Sequence, residues 1–315
     1  MGRPVALVLI AAVVGTACNT DTREASLPAT TSTAPISVVP ATTCTASPRP
    51  PTTRDYNAIA GVDHTLLSLD VYPLPATCGA RPVLFWIHGG AWAVGDKRNN
   101  ISDKARLAAS YGWVLVSVNY RLSTTGAKVV WPDHGEDVAA AVGYTLDHAQ
   151  EFGIDPQHVA LMGHSAGGHL AAILAVDPGL LKAVHHSRDE VDCLVALDTE
   201  GYDIPAIIGS GDASSIAMIK NAFGTDSQTY RKASPNFVLA HERGRVADAL
   251  IITRGPVDRQ AVAVDFADLV RANGAVATVV VADGYSHADV NTAVGVVDDT
   301  VVNVPVTHFL TSCLG

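Results

Sequence analysis

The chain has 315 residues, of which 48% are hydrophobic and 17% are charged, and its formal net charge at pH 7 is −10. This length and composition predict one sizeable globular domain or two small ones. The hydrophobic core is then large enough to be stable without disulfides or metal ions. The acidic balance and the lack of any run of five or more Lys or Arg residues argue against a nucleic-acid partner.

Residues 1–17 have the pattern of a signal peptide: Arg3, an apolar run over residues 5–14, and small residues after it. Ten apolar residues are too few to cross a bilayer as a helix. Cys18 follows Thr-Ala as in a bacterial lipobox, so we expect an exported protein that is attached to the cell envelope through a lipidated Cys18. Ordinary signal-peptidase cleavage, which yields a secreted protein, is the alternative.

Residues 18–53 are rich in Thr, Ser, Pro and Ala and contain few apolar positions at regular spacing. Burial of so few apolar groups does not offset the entropy lost on ordering, so we predict a flexible tether. The catalytic domain is expected to occupy residues 54–315.

Four cysteines follow Cys18 in the chain: Cys44, Cys78, Cys193 and Cys313. An even number in an exported protein favours two disulfides, for which three connectivities are possible. We favour Cys44 with Cys78 and Cys193 with Cys313, because each pair would then lie on one side of the domain. No two cysteines have zinc-ligand spacing, so no metal site is expected.

From about Asp55, apolar runs alternate with amphipathic stretches. Residues 66–72 alternate as in an outer strand, and later runs are continuously apolar, as in strands buried on both faces. The continuous runs are residues 82–88, 113–119, 158–163, 193–198, 248–254 and 276–282. Helices are predicted at residues 102–111, 135–152, 166–176, 259–272 and 296–310.

This alternation predicts an α/β fold with a mostly parallel sheet flanked by helices. Ligands of such sheets bind beyond the carboxyl ends of the strands. Residues 199–245 interrupt the alternation between two core strands, and we predict that they form a small cap or pocket wall. Residues 214–224 are a helix candidate within it.

The stretch "VALMGHSAGGHLAAILAV" places Ser165 between Gly163 and Gly167, after an apolar strand and before a helix. A strand that reverses into a helix at one residue forces that residue into strained backbone geometry, and the glycines remove side chains that would clash. The Ser165 hydroxyl is then exposed above the sheet at a helix N-terminus. We predict Ser165 as the catalytic nucleophile.

A second motif, "WIHGGAW", follows the strand at residues 82–88. Attack on an ester carbonyl places negative charge on its oxygen, which needs preorganised N–H donors. The amides of Gly89, Gly90 and Ala166 are predicted to form this oxyanion hole. Trp92, at the end of the motif, either lines the acyl or alcohol pocket or packs in the core.

With these motifs the chain resembles the α/β-hydrolase carboxylesterases of the HGG(G/A)W type, which include the BD-FAE-like and kynurenine-formamidase-like esterases. The resemblance covers about residues 56–315 and also includes "SVNYRL", "WPDHGEDVAAAV", "GIDPQHVALMG" and "SHADVNTAVG". It implies the α/β-hydrolase fold with an eight-stranded sheet, and a Ser-Asp-His triad in that chain order.

Ser165 needs a base, and the base needs a carboxylate that orients it. His287 follows the last predicted strand and matches the family's histidine. Asp258, after the strand at residues 248–254, is our preferred acid; Asp198, which ends the strand before that, is the alternative. Asp283 lies too early in the His287 loop.

We therefore expect a serine carboxylesterase that needs no cofactor and acts on a small-molecule ester. The alternatives are an amide hydrolase, such as an arylformamidase or a small peptidase, and a surface lipoprotein that only binds. The substrate, the acyl-length preference and the oligomeric state do not follow from the sequence.

Overall fold

The computed structural model describes residue 44, residues 46–124 and residues 128–315. The predicted signal peptide, Cys18 and the tether up to residue 43 lie outside these described residues. Within the described part of the chain, no helix is both long and apolar enough to cross a membrane.

One eight-stranded sheet organises the domain, in the order β1-β2-β4-β3-β5-β6-β7-β8. The pairs β1–β2 and β2–β4 are antiparallel, and all the other neighbouring strands are parallel. The strands are β1 (Thr52–Asp55), β2 (Ser68–Tyr72), β3 (Arg81–Ile87), β4 (Val114–Val118), β5 (Ile154–His164), β6 (Cys193–Leu197), β7 (Asp248–Thr253) and β8 (Ala277–Val281).

Helices connect the strands. In the described residues they are α1 (Ser102–Tyr111), α2 (Asp133–Asp147), α3 (Ala149–Phe152), α4 (Ala166–Val176), α5 (Pro178–Lys182), α6 (Ile204–Gly209), α7 (Ala213–Phe223), α8 (Ser227–Lys232), α9 (Pro235–His241), α10 (Val257–Ala272), α11 (His287–Ala293) and α12 (Asn303–Leu314). Short 3-10 helices occur at His64–Leu67, Ala76–Cys78 and Arg188–Glu190.

Both faces of the sheet are buried, which explains the continuously apolar strands. In β3, Phe85 and Ile87 enter one hydrophobic cluster, whereas Leu84 and Trp86 enter another. The first cluster contains residues of α2, α4 and α10, and the second contains residues of α1, α11 and α12. Because side chains alternate across a strand, the central strands supply both layers. The predicted α/β fold is confirmed.

Both favoured disulfides are present. Cys44 bonds to Cys78 with a Cα–Cα distance of 5.5 Å, and Cys193 bonds to Cys313 with a Cα–Cα distance of 6.1 Å. The first links Cys44 to the end of the 3-10 helix Ala76–Cys78, and the second links β6 to α12.

Three predicted boundaries are wrong. Thr52 and Thr53, assigned to the tether, begin β1 and pair with β2. The helix predicted at residues 135–152 begins at Asp133 and is divided at His148.

The helix predicted at residues 296–310 begins only at Asn303. Residues 296–302 have apolar positions at helical spacing, but they form turns that the side chain of Asp299 stabilises. Its Oδ1 accepts hydrogen bonds from Val302 N and Asn303 N at 2.7 and 2.9 Å.

The predicted insertion lies between β6 and β7 and contains α6, α7, α8 and α9. Its helix α7 closely matches the candidate at residues 214–224. Ile207 of α6 and Met218 of α7 line a cavity that also contains Ser165. The insertion therefore forms a wall of the cavity at the carboxyl edge of the sheet.

Candidate active site

Ser165 occupies the single-residue turn between β5 and α4. Its φ and ψ are 54° and −122°, a backbone conformation that costs a residue with a side chain about 1–3 kcal/mol. Gly163 and Gly167 make this turn possible: a Cβ on Gly163 would collide with Gly167 O, and one on Gly167 would collide with Ile87 O. The strained turn predicted at Ser165 is present.

The Gly89–Gly90 loop after β3 runs directly beside the serine. A Cβ on Gly89 would lie 3.1 Å from the Ser165 Cβ. The φ values of Gly90 and the next two residues are 127°, 54° and 58°. The amides of Gly89 and Gly90 donate no hydrogen bond to any described residue, and Ala166 N, at the start of α4, has no intrahelical acceptor. These three amides are free donors near Ser165, as an oxyanion hole requires.

His287, the first residue of α11, faces the same cavity as Ser165. Its Nδ1 lies 2.6 Å from Asp198 Oδ2, and its side chain is 43% exposed. A capping box between Ser286 and Asp289 holds the start of α11 in place. Nε2 is the imidazole nitrogen left to face a reacting group, since Nδ1 is occupied by the carboxylate.

The preferred assignment of Asp258 is wrong for this structure, because Asp198, the alternative, contacts His287. Asp258 is exposed on the first turn of α10, and its Oδ1 accepts a hydrogen bond from Arg259 N at 2.9 Å. Asp283, the other candidate, is also exposed. Asp198 is fully buried just after β6, and its φ of 47° accompanies the sharp change of chain direction there.

Two arginines that the sequence analysis did not single out also contact Asp198. Arg254 Nε donates to Oδ2 at 2.6 Å, and Arg259 donates to Oδ1 through Nη2 at 2.6 Å and Nε at 3.2 Å. Burial opposes ionisation of the carboxyl, but the His287 hydrogen bond and the Arg259 charge outweigh it and lower the pKa of Asp198 to about 2. Asp198 is therefore an anion at neutral pH.

His164, next to the serine, supports His287 from the other side. Its Nε2 lies 2.9 Å from His287 O, and the two ring centroids are 4.4 Å apart. Burial, followed by the charge of His287, lowers the pKa of His164 to about 4. A neutral His164 can donate from Nε2 to the carbonyl. Its position in the motif, directly before Ser165, was the sequence signal for this role.

Trp92 both packs in the core and lines the cavity. It is 3% exposed, and its Nε1 donates to His169 Nδ1 at 3.3 Å. The Trp92 ring also packs edge-on against Phe223, with centroids 4.9 Å apart. The two roles that the sequence left open for Trp92 are thus compatible.

The cavity above Ser165 has a volume of about 280 Å³. One part of its lining is apolar and consists of Trp92, Ile207 and Met218, and another part is charged. The ionisable lining residues are Asp198, Glu200, Arg254, Arg259 and His287.

His164, Asp198 and His287 hold side-chain ligand atoms within 4.8 Å of one another, the only such group in the described part of the chain that could surround a metal ion. However, both Asp198 oxygens already accept hydrogen bonds from guanidinium groups. Two cations at this carboxylate disfavour a third. The donor set fits a hydrogen-bonded His–Asp pair better than a metal centre.

Part of the chain is similar in sequence to proteins named as esterases. The chain is 41% identical over 112 residues to the Probable carboxylic ester hydrolase LipM of Mycobacterium tuberculosis. The aligned region covers 35% of this chain and 25% of that protein. It is 35% identical over 117 residues to Esterase LipQ of the same organism, covering 36% and 27% of the two chains. The chain thus spans only about a quarter of the length of these curated relatives.

A solved structure described as a truncated form of carbohydrate esterase from gut microbiota superimposes with a TM-score of 0.67. The match has 21% sequence identity and covers 87% of this chain and 98% of the other, so it shows a common fold. A family model, BD-FAE, matches residues 69–242. The match covers more than half of the chain and confirms the family resemblance seen in the motifs, and the protein therefore belongs to the BD-FAE family.

Proposed function

We propose that this protein is a serine hydrolase that cleaves carboxylic esters, with Ser165 as nucleophile, His287 as base and Asp198 as the orienting carboxylate. The observation that carries the proposal is the 2.6 Å contact of His287 Nδ1 with the buried Asp198, in one cavity with a strained Ser165. Membership of the BD-FAE family supports it.

The proposed reaction has two halves. Ser165 Oγ attacks the ester carbonyl carbon while its proton passes to His287 Nε2, and Asp198 stabilises the imidazolium that forms. The C–O bond to the alcohol then breaks, and the alcohol leaves with the proton from Nε2. Water, deprotonated by the same nitrogen, attacks the acyl-enzyme and releases the carboxylic acid and free Ser165.

The amides of Gly89, Gly90 and Ala166 are proposed to bind the oxyanion of both tetrahedral intermediates. Loss of one such donor typically costs about 10²- to 10³-fold in kcat. The cavity of about 280 Å³ lies at the small end of ligand pockets, which favours short acyl groups. Trp92, in the same loop as the oxyanion donors, would border the acyl group.

The test combines covalent labelling with kinetics. A fluorophosphonate should label the wild type but not Ser165→Ala, and a p-nitrophenyl ester panel of rising acyl length should show hydrolysis only by the wild type. Absence of labelling and of hydrolysis in the folded wild type would leave the binding-protein alternative. A matched set of p-nitroanilides reports on amide hydrolysis, and faster cleavage of the anilides would favour the amide-hydrolase alternative.

We also propose export, with lipidation of Cys18 as the means of membrane attachment. The lipobox-like stretch before Cys18 supports attachment, and the two disulfides support an oxidising compartment. Globomycin, which blocks lipoprotein signal peptidase, should cause the unprocessed precursor to accumulate, and Cys18→Ser should release the protein into the medium. Unchanged processing in globomycin would support ordinary cleavage and secretion.

A further inference from the structure

Arg254 has unused hydrogen-bonding capacity in the cavity wall. Its Nε donates to Asp198 Oδ2 at 2.6 Å, and its two terminal nitrogens bond to no other described residue. The side chain is 25% exposed and lines the cavity together with Ser165 and His287. A guanidinium with free terminal N–H groups is suited to bidentate binding of a planar anion.

Arg259, which lines the same cavity, does not share this property. Its Nε and Nη2 donate to Asp198 Oδ1, Nη2 also donates to Asp198 O at 3.1 Å, and Nη1 pairs with Glu200 Oε1. Its side chain is only 13% exposed. Asp198 and Glu200 therefore occupy all three side-chain nitrogens of Arg259. Arg254, in contrast, bonds only to Asp198, a carboxylate that also contacts Arg259 and His287.

The geometry also indicates which part of an ester Arg254 would meet. His287 must give its proton to the departing alcohol, so the alcohol portion lies on the His287 side of Ser165. His287 Nδ1 and Arg254 Nε both lie 2.6 Å from the same oxygen, Asp198 Oδ2. Arg254 is thus a neighbour of His287 and belongs to the His287 side of the cavity wall, whereas Trp92 belongs to the oxyanion loop.

We propose that Arg254 is a substrate-binding residue that recognises a carboxylate on the alcohol portion of the ester. The substrate class is then a short-chain acyl ester of a hydroxycarboxylic acid, cleaved by water to the acyl acid and the hydroxycarboxylate. This inference rests on the proposed esterase function. It assigns specificity to one side chain, on a protein whose overall charge of −10 would otherwise repel anions.

Two acetate esters of nearly the same shape, one anionic and one neutral, test the inference: 3-acetoxybenzoate and 3-acetoxybenzamide. The measurement is the ratio of their kcat/KM values, anion over amide. A hydrogen-bonded ion pair at Arg254 should give the wild type a ratio of about 10 to 100. Arg254→Gln should bring the ratio close to 1, and Arg254→Lys should restore part of it. Using the ratio removes any effect of these variants on Asp198 that both substrates share.

The double variant Arg259→Gln/Glu200→Gln is the matched control. It removes one positive and one negative charge from the same cavity, so the net charge is unchanged. It should lower kcat/KM for both esters while the ratio stays within about threefold of the wild type. A loss of preference in this control equal to that in Arg254→Gln would assign the effect to the general field of the cavity and overturn the role of Arg254.

A readout in the wild type protects the test against a variant that fails to fold. With 3-acetoxybenzamide as substrate, 3-hydroxybenzoate should inhibit competitively at a concentration about 10-fold or more below that of 3-hydroxybenzamide. Hydrolysis of both esters without preference, together with equal inhibition, would overturn the carboxylate inference and leave the esterase proposal intact. If the folded wild type hydrolyses neither these esters nor the p-nitrophenyl panel, the esterase proposal itself fails.

Discussion

The segments that follow β6 and β7 each carry an aspartate, Asp198 directly after β6 and Asp258 on the first turn of α10, and the two aspartates have opposite surroundings. Asp198 is fully buried and contacts His287 and two guanidinium groups. Asp258 is exposed and bonds to the amide of the next residue. Position after a strand therefore does not decide which aspartate becomes the partner of the histidine; the direction of its side chain does.

The helix geometry of α10 explains why Asp258 faces away. Successive residues on a helix point about 100° apart, and at the start of α10 Arg259 lines the Ser165 cavity whereas Asp258 does not. Arg259 faces inward and pairs with Asp198 and Glu200. The inward position at the start of α10 is thus occupied by a cation that supports the carboxylate from the neighbouring loop.

The largest expected effect is that of Asp198→Asn. Loss of the carboxylate removes the charge that stabilises the His287 imidazolium, so kcat on a p-nitrophenyl butyrate assay should fall on the order of 10³- to 10⁴-fold. Circular dichroism should confirm that the variant is folded. Activity within tenfold of the wild type for Asp198→Asn, combined with a large loss for Asp258→Asn, would return the role of acid to Asp258.

A smaller loss is expected for Arg259→Met, which removes the guanidinium bonds to Asp198 Oδ1 but leaves Arg254 in place. Hydrogen bonds to a charged group are worth about 1.5–3 kcal/mol, so kcat/KM should fall about 10- to 100-fold. Arg259→Lys should recover part of the activity through its charge alone. Equal activity of Arg259→Met and the wild type would show that the support of Asp198 does not depend on Arg259.

A third prediction concerns stability in acid. The pKa of Asp198 in the folded protein, about 2, lies below its ordinary value of 3.8. The ionised carboxylate therefore stabilises the fold above pH 4, and this contribution is lost as the pH falls from about 4 to 2. After allowance for solvent screening, the free energy of unfolding of the wild type should fall about 1 kcal/mol more over this window than that of Asp198→Asn.

Urea unfolding at pH 5, 4, 3 and 2 measures this difference, with Asp258→Asn as the control variant. Asp258→Asn should follow the wild type over the whole range, since its carboxylate contacts only a neighbouring amide. Parallel pH dependence of the wild type and Asp198→Asn would contradict the strong coupling of Asp198 to its cationic neighbours.

The smallest expected effect is that of Asp258→Ala. The side chain is exposed and contacts neither His287 nor Ser165, so kcat/KM on an uncharged ester should stay within about threefold. The free energy of unfolding should change by about 0.5 kcal/mol or less, as for most surface substitutions. Thermal unfolding and p-nitrophenyl ester kinetics on one preparation check both values.

The amino-acid sequence alone was sufficient to predict the sheet, the serine turn, the glycine loop and the histidine. Strands buried on both faces are continuously apolar, and the turn at Ser165 tolerates only glycine at the two positions where a Cβ would collide with backbone. Each of these features depends on the side chains of a few residues that are adjacent in the sequence. The disulfide partners were also predicted, because four cysteines allow only three connectivities and the favoured one places each pair on one side of the domain.

Only the tertiary structure decided which carboxylate pairs with His287, and it also brought Arg254 and His164 to the site. Asp198 and His287 are 89 residues apart in sequence, and no local pattern records the direction in which a loop side chain points. Burial among three neighbours, from α10, α11 and the loop after β7, selects Asp198, because a carboxylate there is compensated by positive charge and hydrogen bonds that exist only once the chain has folded.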